Sequence, residues 1–168
     1  MQCCCGLPKN GAQPFIRGPC LRKPYTAVPD DKPNPITGEL KYWIPYLRVR
    51  PSKGHALLRR PILAIVDSGS PYCLFRNDIA AAIGIRDITT GQAGEIGSSK
   101  KGVTDICYFH KVKLYVEEWV IEVTAGFSSN LSVPALLGRH GFFDHFLVTF
   151  DHSASPPMLE VTKIDRPA

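Results

Sequence analysis

The chain has 168 residues, 44% of them hydrophobic and 21% charged, which are ordinary values for a water-soluble globular domain. No apolar run approaches the roughly 18–20 residues that a membrane-spanning helix needs. The N-terminus lacks the basic region and long apolar stretch of a secretory signal. We therefore expect one folded domain, no membrane partner and, by default, a cytoplasmic location.

The net charge of +5 comes from basic residues that are scattered along the sequence. Arg59-Arg60 and Lys100-Lys101 are pairs, whereas a nucleic-acid-binding surface would show a basic stripe interleaved with aromatic residues. This distribution favours a mildly basic, solvated surface over a nucleic-acid partner.

The six cysteines include no pair with the C-x-x-C spacing of zinc or redox sites. Neither a disulfide framework nor a structural metal is therefore expected. Cys73 and Cys107 lie in apolar sequence and are expected to be small buried hydrophobes. The Cys3–Cys5 triplet is either a reactive or lipid-bearing cluster or part of a disordered tail, and the tail is the simpler interpretation.

Residues 1–38 hold many of the 15 prolines. Because proline fixes φ and removes a backbone donor, this segment is not expected to form a long helix or a central strand. We predict a flexible N-terminal arm over 1–38, a folded domain over 39–152 and a loose C-terminal tail over 153–168. Within the arm, Asn34–Gly38 has the composition of a turn.

The remaining chain has mostly the two-residue periodicity and β-branched composition of strands. One segment differs: Arg76–Gly84 contains three alanines, with Asn77 or Asp78 as the expected cap and Gly84 as the expected end of a helix. The sum is an all-β domain with one short helix, folded as a barrel or compact sheet. The predicted strands are Tyr42–Arg50, Leu57–Val66, Cys73–Phe75, Cys107–Val116, Glu118–Phe127 and Phe146–Phe150, with an edge strand around Met158–Val161.

The strand over Leu57–Val66 ends at a carboxylate, Asp67. A carboxylate is costly to bury, so a residue placed at the exit of a buried strand needs a partner and often has a function. Gly69 allows the backbone to turn tightly beside it. We therefore interpret Asp67 as a catalytic acid.

Several motifs occur in one order: Ile-Val-Asp-Ser-Gly-Ser over 65–70, a glycine-rich segment, a paired β-ribbon, and Leu-Leu-Gly-Arg over 136–139 before an aromatic-rich turn. In this order the chain resembles the retropepsin-like aspartic proteases, the single-domain relatives of pepsin that include the retroviral proteases. The resemblance covers roughly residues 40–152 and implies a closed, retropepsin-like acid protease barrel. It also implies an aspartic endopeptidase that acts on a peptide or protein substrate without a cofactor.

The resemblance implies a homodimer, since the chain has one Asp-Ser-Gly and the chemistry needs two carboxylates. Asp67 from each subunit would share a water, Ser68 would hydrogen-bond across the dimer, and Gly69 would supply the turn and orient the water. Leu136–Arg139 matches the element that supports the active loop, which is a structural role. The family usually has alanine after the glycine, whereas this chain has Ser70 and then Pro71, which could alter the hydrogen bonding of the site.

Thr89–Gly102 is rich in glycine, as in a mobile loop or hairpin tip. It fails as a phosphate-binding loop, because Val103 stands where that motif requires lysine. By the resemblance, this segment matches the flap that folds over a bound peptide. The substrate-binding flap tip is predicted at Ala93, Gly94, Glu95, Ile96 and Gly97.

Two alternatives stay open. The first is a peptide-binding or adaptor module with the same fold and no catalysis. The second is a metal site built from His140, Asp144 and His145, with His152 nearby and His110 elsewhere. The five-residue spacing of His140 and His145 does not promise convergence on one ion, so no metal is expected. A serine hydrolase is not supported, because the chain has no G-x-S-x-G motif.

Overall fold

The computed structural model describes residues 17–97 and 104–164. They fall into two compact units, one over Tyr46–Asp144 and one formed by the segments before and after it. The described strands are, in chain order, β1 (Arg17–Pro24), β2 (Thr26–Pro29), β3 (Lys41–Ile44), β4 (Tyr46–Lys53), β5 (Ala56–Leu57), β6 (Ile62–Val66), β7 (Leu74–Arg76), β8 (Gln92–Gly97), β9 (Thr104–Val116), β10 (Trp119–Ser128), β11 (Ala135–Leu137), β12 (Phe146–Asp151) and β13 (Met158–Ile164).

The unit over Tyr46–Asp144 is a closed six-stranded barrel. Its strands follow the order β4-β6-β11-β7-β10-β9, and β9 pairs again with β4 to close the ring. β8 extends the sheet beside β9, and β5 extends it beside β4. The prediction of an all-β, closed barrel with one short helix is confirmed.

Alternation along the long strands explains why the barrel has a filled interior. In β9, Val112, Leu114 and Val116 are buried while Lys111 and Lys113 are exposed. The rings of Phe75 and Phe127 stack inside, with centroids 5.7 Å apart. Each fully buried aliphatic or aromatic side chain contributes about 1.5–3 kcal/mol to the stability of the fold. The period-two pattern determines which face of each strand is buried, and this burial stabilises the barrel.

The short strand β11 lies between β6 and β7. It runs parallel to β6, where Leu136 pairs with Ile65, and antiparallel to β7, where Leu136 pairs with Leu74. Because β6 and β7 are consecutive strands, the chain between them is a loop that β11 holds on both sides. That loop contains Asp67.

The helix α1 spans Asn77–Ala82. The expected cap is wrong: the N-cap is Arg76, which has extended backbone and no side-chain cap, and Asp78 lies in the first turn. Asp78 instead forms an ion pair with Arg76, at 2.6 Å. Gly84 ends the segment as predicted, because it adopts the left-handed conformation with φ of 86°. With six residues, α1 is far too short to cross a bilayer, and no other helix within the described residues could do so.

The second unit contains a three-stranded sheet of order β1-β13-β12 and the β2–β3 hairpin. The sequence predicted a flexible arm over 1–38, but Arg17–Pro24 forms β1. Its prolines are tolerated because β1 is an edge strand of this sheet. The strand near Met158 was expected at an edge, yet β13 is the central strand. Arg22 ties the three strands together through ion pairs with Asp151 at 3.3 Å and Glu160 at 2.7 Å.

Other boundaries differ by a few residues. Pro45 divides the predicted strand Tyr42–Arg50 into β3 and β4, and β4 then continues through Pro51 to Lys53. The predicted strand Leu57–Val66 is divided into β5 and β6. The turn at Asn34–Gly38 is confirmed: the Asn34 side chain accepts from the Ile36 amide at 2.9 Å, and the Gly38 amide donates to the Asn34 carbonyl at 2.8 Å.

Candidate active site

Asp67 directly follows β6, at the point where the chain leaves the barrel wall. Its amide donates to the Leu137 carbonyl at 3.1 Å, so β11 fixes the backbone of the turn. The Asp67 side chain is half-buried, whereas Ser68 and Gly69 are exposed. The carboxylate therefore lies at the end of a barrel strand on a backbone fixed by β11, and it is partly accessible to a ligand.

One oxygen of this carboxylate is held by the turn itself. The Gly69 amide donates to Asp67 Oδ1 at 2.9 Å, and the Ser70 amide donates to the Asp67 carbonyl at 3.2 Å. Within residues 17–97 and 104–164, the other oxygen, Oδ2, accepts no hydrogen bond. The arrangement fixes the orientation of the carboxyl group and leaves one oxygen available.

Leu136–Arg139 supports the far side of the turn. The Arg139 amide donates to the Ser70 carbonyl at 3.0 Å, and the His140 amide donates to the Pro71 carbonyl at 2.8 Å. Gly138 lies so close to this backbone that a Cβ atom would overlap the Tyr72 carbonyl and lie 2.8 Å from the Ser70 carbonyl oxygen. Only glycine permits this approach.

Ser70 and Pro71, where the chain departs from the family pattern, fit without a buried unsatisfied group. The Ser70 hydroxyl is buried and donates to the Tyr72 carbonyl at 2.8 Å. Pro71 has no amide to satisfy, and its carbonyl accepts from His140. The hydroxyl is thus satisfied within the turn.

The segment predicted as the flap tip lies in β8 of a β-hairpin. Ala93–Gly97 pair with β9 from Tyr108 to Thr104, and residues 98–103, between the two strands, lie outside the described residues. Within the pairing, Gly94 and Ile96 share one face with Cys107, and Ala93, Glu95 and Gly97 are exposed on the other. The five residues are therefore one strand of the hairpin.

An apolar cluster that the sequence analysis did not identify joins this hairpin to the barrel. Its buried members are Leu74, Ile96 and Cys107. Since Leu74 and Leu136 pair across β7 and β11, the cluster borders the strands that hold the Asp67 turn. Each member of the cluster is apolar, which the sequence shows, but the members come from five separate segments of the chain. Their contact could therefore not be predicted from the sequence. The partly buried members are Tyr72, Phe109, Leu131 and Leu136.

Two cysteines near the site are free and buried, as the sequence predicted. Burial raises the pKa of the Cys73 thiol to about 11, the largest effect, with Asp144 raising it further against opposing backbone hydrogen bonds. Burial also raises the pKa of Cys107. Both thiols therefore remain protonated at neutral pH and are poor nucleophiles.

The histidine-rich segment does not converge on one point. Across residues 17–97 and 104–164, no three His, Cys, Asp or Glu side chains are placed to hold a metal ion. Asp144 accepts from the Gly141 amide at 2.9 Å, and His152 hydrogen-bonds to the Tyr25 hydroxyl at 3.2 Å. His110 is buried, with Nε2 2.9 Å from the Ile88 carbonyl. These side chains have structural partners.

Comparison with known proteins finds likeness in structure and none in sequence. No protein-family model and no curated protein matches the chain. A retropepsin-like aspartic protease from Rickettsia conorii matches with a TM-score of 0.52 and 10% identity, over 94% of this chain and 100% of that one. The retroviral protease-like domain of Ddi1 from Leishmania major matches with a TM-score of 0.47 and 13% identity, over 74% and 91%. The match to the Rickettsia protein, combined with the barrel, shows that the fold is retropepsin-like.

Proposed function

We propose that this retropepsin-like chain is an aspartic endopeptidase, active as a homodimer in which Asp67 from each subunit shares one water. The observation that supports this most is the Asp67 turn. One carboxylate oxygen is held by the Gly69 amide at 2.9 Å, the backbone is held by Leu137, and the residue remains partly exposed.

Two carboxylates in close contact explain the chemistry. Because both cannot ionise at short range, one keeps a proton and the other does not. The ionised carboxylate removes a proton from the shared water, which attacks the scissile carbonyl carbon, while the protonated carboxyl donates to the carbonyl oxygen.

The neighbours of Asp67 have distinct roles in this proposal. Ser68 is exposed, and its hydroxyl would hydrogen-bond across the two-fold axis to fix both turns. Gly69 gives its amide to Asp67 Oδ1 and keeps the space above the carboxylate open for water, because a side chain there would begin 3.1 Å from that oxygen. Neither residue exchanges a proton with the substrate.

The β8–β9 hairpin would form the flap over an extended peptide. Such a peptide pairs its backbone with a strand and places alternate side chains in pockets. The partly buried side chains around Leu74 and Ile96 offer an apolar surface beside the Asp67 turn. We therefore expect protein substrates with apolar side chains next to the cleaved bond.

The test is cleavage of a peptide library by the purified protein and by an Asp67→Asn variant. Removing the acid-base group should lower the cleavage rate by about 10²–10⁴-fold, with the free energy of unfolding changed by less than about 1 kcal/mol. A statine-type peptide should block the wild type.

Asp87→Asn is the matched control. Asp87 Oδ1 accepts from the Thr89 amide at 2.9 Å, the same two-residue turn that Asp67 makes with Gly69, but it lies at the start of the short helical turn Ile88–Thr90. This variant should cleave at the wild-type rate. Equal rates for wild type and Asp67→Asn would contradict the proposal, and binding of the statine peptide without any cleavage by the wild type would identify a peptide-binding module instead.

A further inference from the structure

A cleft of about 430 Å³ opens on the barrel unit between β4, β9 and β10. The β4–β9 ladder runs as far as the pair Ser52–Lys113. Beyond that pair, β4 turns through Gly54 into β5, so the two strands diverge. The cleft is thus a gap created by the end of a ladder, and its volume lies within the roughly 300–1,000 Å³ of small-molecule sites.

The charges that line the cleft are mostly positive. The described lining residues include three lysines, Lys53, Lys111 and Lys113, and one acidic residue, Glu122. Glu122 is 80% exposed, and its oxygen lies 3.9 Å from Lys113 Nζ, which makes a weak ion pair. The lysines therefore leave an excess of positive charge.

The geometry brings these charges together from distant parts of the chain. Lys53 Nζ lies 3.5 Å from the Lys111 carbonyl, so this side chain reaches across the gap towards β9. Ser52 and Thr124, which carry hydroxyl groups, are also among the lining residues. Lysine, serine and threonine side chains carry the hydrogen-bond donors that the oxygens of a phosphate group accept from.

We propose that this cleft binds a small phosphate-bearing anion, of the class of pyrophosphate or a phosphate monoester. The volume fits a compact ligand, and the excess of positive charge requires an anionic one. This site is independent of Asp67 and of peptide cleavage, since none of the residues that support the Asp67 turn lines the cleft.

Titration of ¹⁵N-labelled protein with sodium pyrophosphate at low ionic strength tests the proposal. Amide signals of Lys53, Gly54 and Lys111–Lys113 should shift together and saturate, and the affinity should fall as salt is added. Absence of saturable shifts in the wild type would overturn the proposal.

Three variants show whether the cleft itself is responsible. The double variant Lys53→Gln/Lys113→Gln should bind about tenfold more weakly, because two exposed charges are lost. Arg59→Gln/Arg60→Gln removes the same charge from exposed positions outside the cleft and should bind like the wild type. Glu122→Gln removes the opposing carboxylate and should bind more tightly.

The outcomes separate a built site from a diffuse basic surface. Weaker binding in the lysine double variant alone, with tighter binding in Glu122→Gln, supports the proposal. Equal weakening in both double variants would overturn it. Stronger binding of single-stranded DNA than of pyrophosphate, equally reduced in both double variants, would also overturn it and indicate an extended polyanion surface.

Discussion

At the scale of single residues, Cys73 shows how burial near the Asp67 turn keeps a thiol protonated. It lies three residues after Ser70, is fully buried, and has a Sγ atom 3.9 Å from the Gly138 carbonyl. Burial raises the pKa of the thiol from 9.0 to about 11. The thiol is therefore a buried packing group that contacts Gly138, in the segment that supports the Asp67 turn.

This pKa predicts a pH dependence of stability. The folded-state pKa is raised, so the stabilisation is fully present below pH 9, where both states keep the proton, and is lost as the pH rises towards 11. The loss attributable to Cys73 is roughly 2–3 kcal/mol. We expect Cys73→Ala to show a smaller decline in the free energy of unfolding over this range, measured by urea denaturation. Identical declines in the two proteins would contradict the assignment.

The sequence was sufficient to single out Asp67 as a residue, because a carboxylate that ends an apolar run is chemically conspicuous. It could not show how the carboxylate is held. The Leu137 carbonyl and the Gly69 amide are backbone groups, which leave no mark on side-chain patterns, and the bond between Ser70 and Tyr72 is equally invisible. The helix cap at Asn77 or Asp78 was predicted wrongly for a different reason, because the Asp78 carboxylate forms an ion pair with the Arg76 side chain.

At the scale of elements, the insertion of β11 between β6 and β7 determines where the turn lies. Long strands such as β9 and β10 were predictable, since alternation over ten or more residues specifies the buried face. β11 has three residues, too few to show a period. Pro156 and Pro157 suggested a loose C-terminal tail, but they precede β13 and leave its hydrogen-bonded ladder intact.

Gly138 gives the element-scale prediction. It follows β11 directly, and a Cβ atom would overlap the Tyr72 carbonyl. Gly138→Ala should lower the free energy of unfolding by about 1–3 kcal/mol or more, because backbone has to move, and should also reduce cleavage. Gly97→Ala is the control: no atom of residues 17–97 or 104–164 lies within 4 Å of a Cβ there, so its effect should stay below about 1 kcal/mol. Thermal denaturation of both variants measures the two losses of stability. Equal losses would contradict the proposed role of the contact between Gly138 and the Tyr72 carbonyl.

At the scale of the whole protein, the proposed reaction requires an assembly of two chains. The chain supplies one Asp-Ser-Gly, and the proposed chemistry uses two carboxylates. An isologous dimer is the simplest way to place two copies of Asp67 face to face. The fold is retropepsin-like by its barrel and by its likeness to the Rickettsia protein, whereas the dimer is our proposal. No pattern within one chain can specify a pair of identical residues across a symmetry axis.

Mixing wild-type and Asp67→Asn subunits tests whether cleavage requires both copies of Asp67. After equal amounts exchange at random, about one quarter of the dimers have two intact carboxylates. If both copies of Asp67 are required, cleavage should fall to about one quarter of that of the same total amount of wild type. Mixing with Asp87→Asn should leave it unchanged, and light scattering should show dimers throughout. Cleavage at about one half, in proportion to the intact subunits, would mean that each chain acts alone and would contradict a site shared by two subunits.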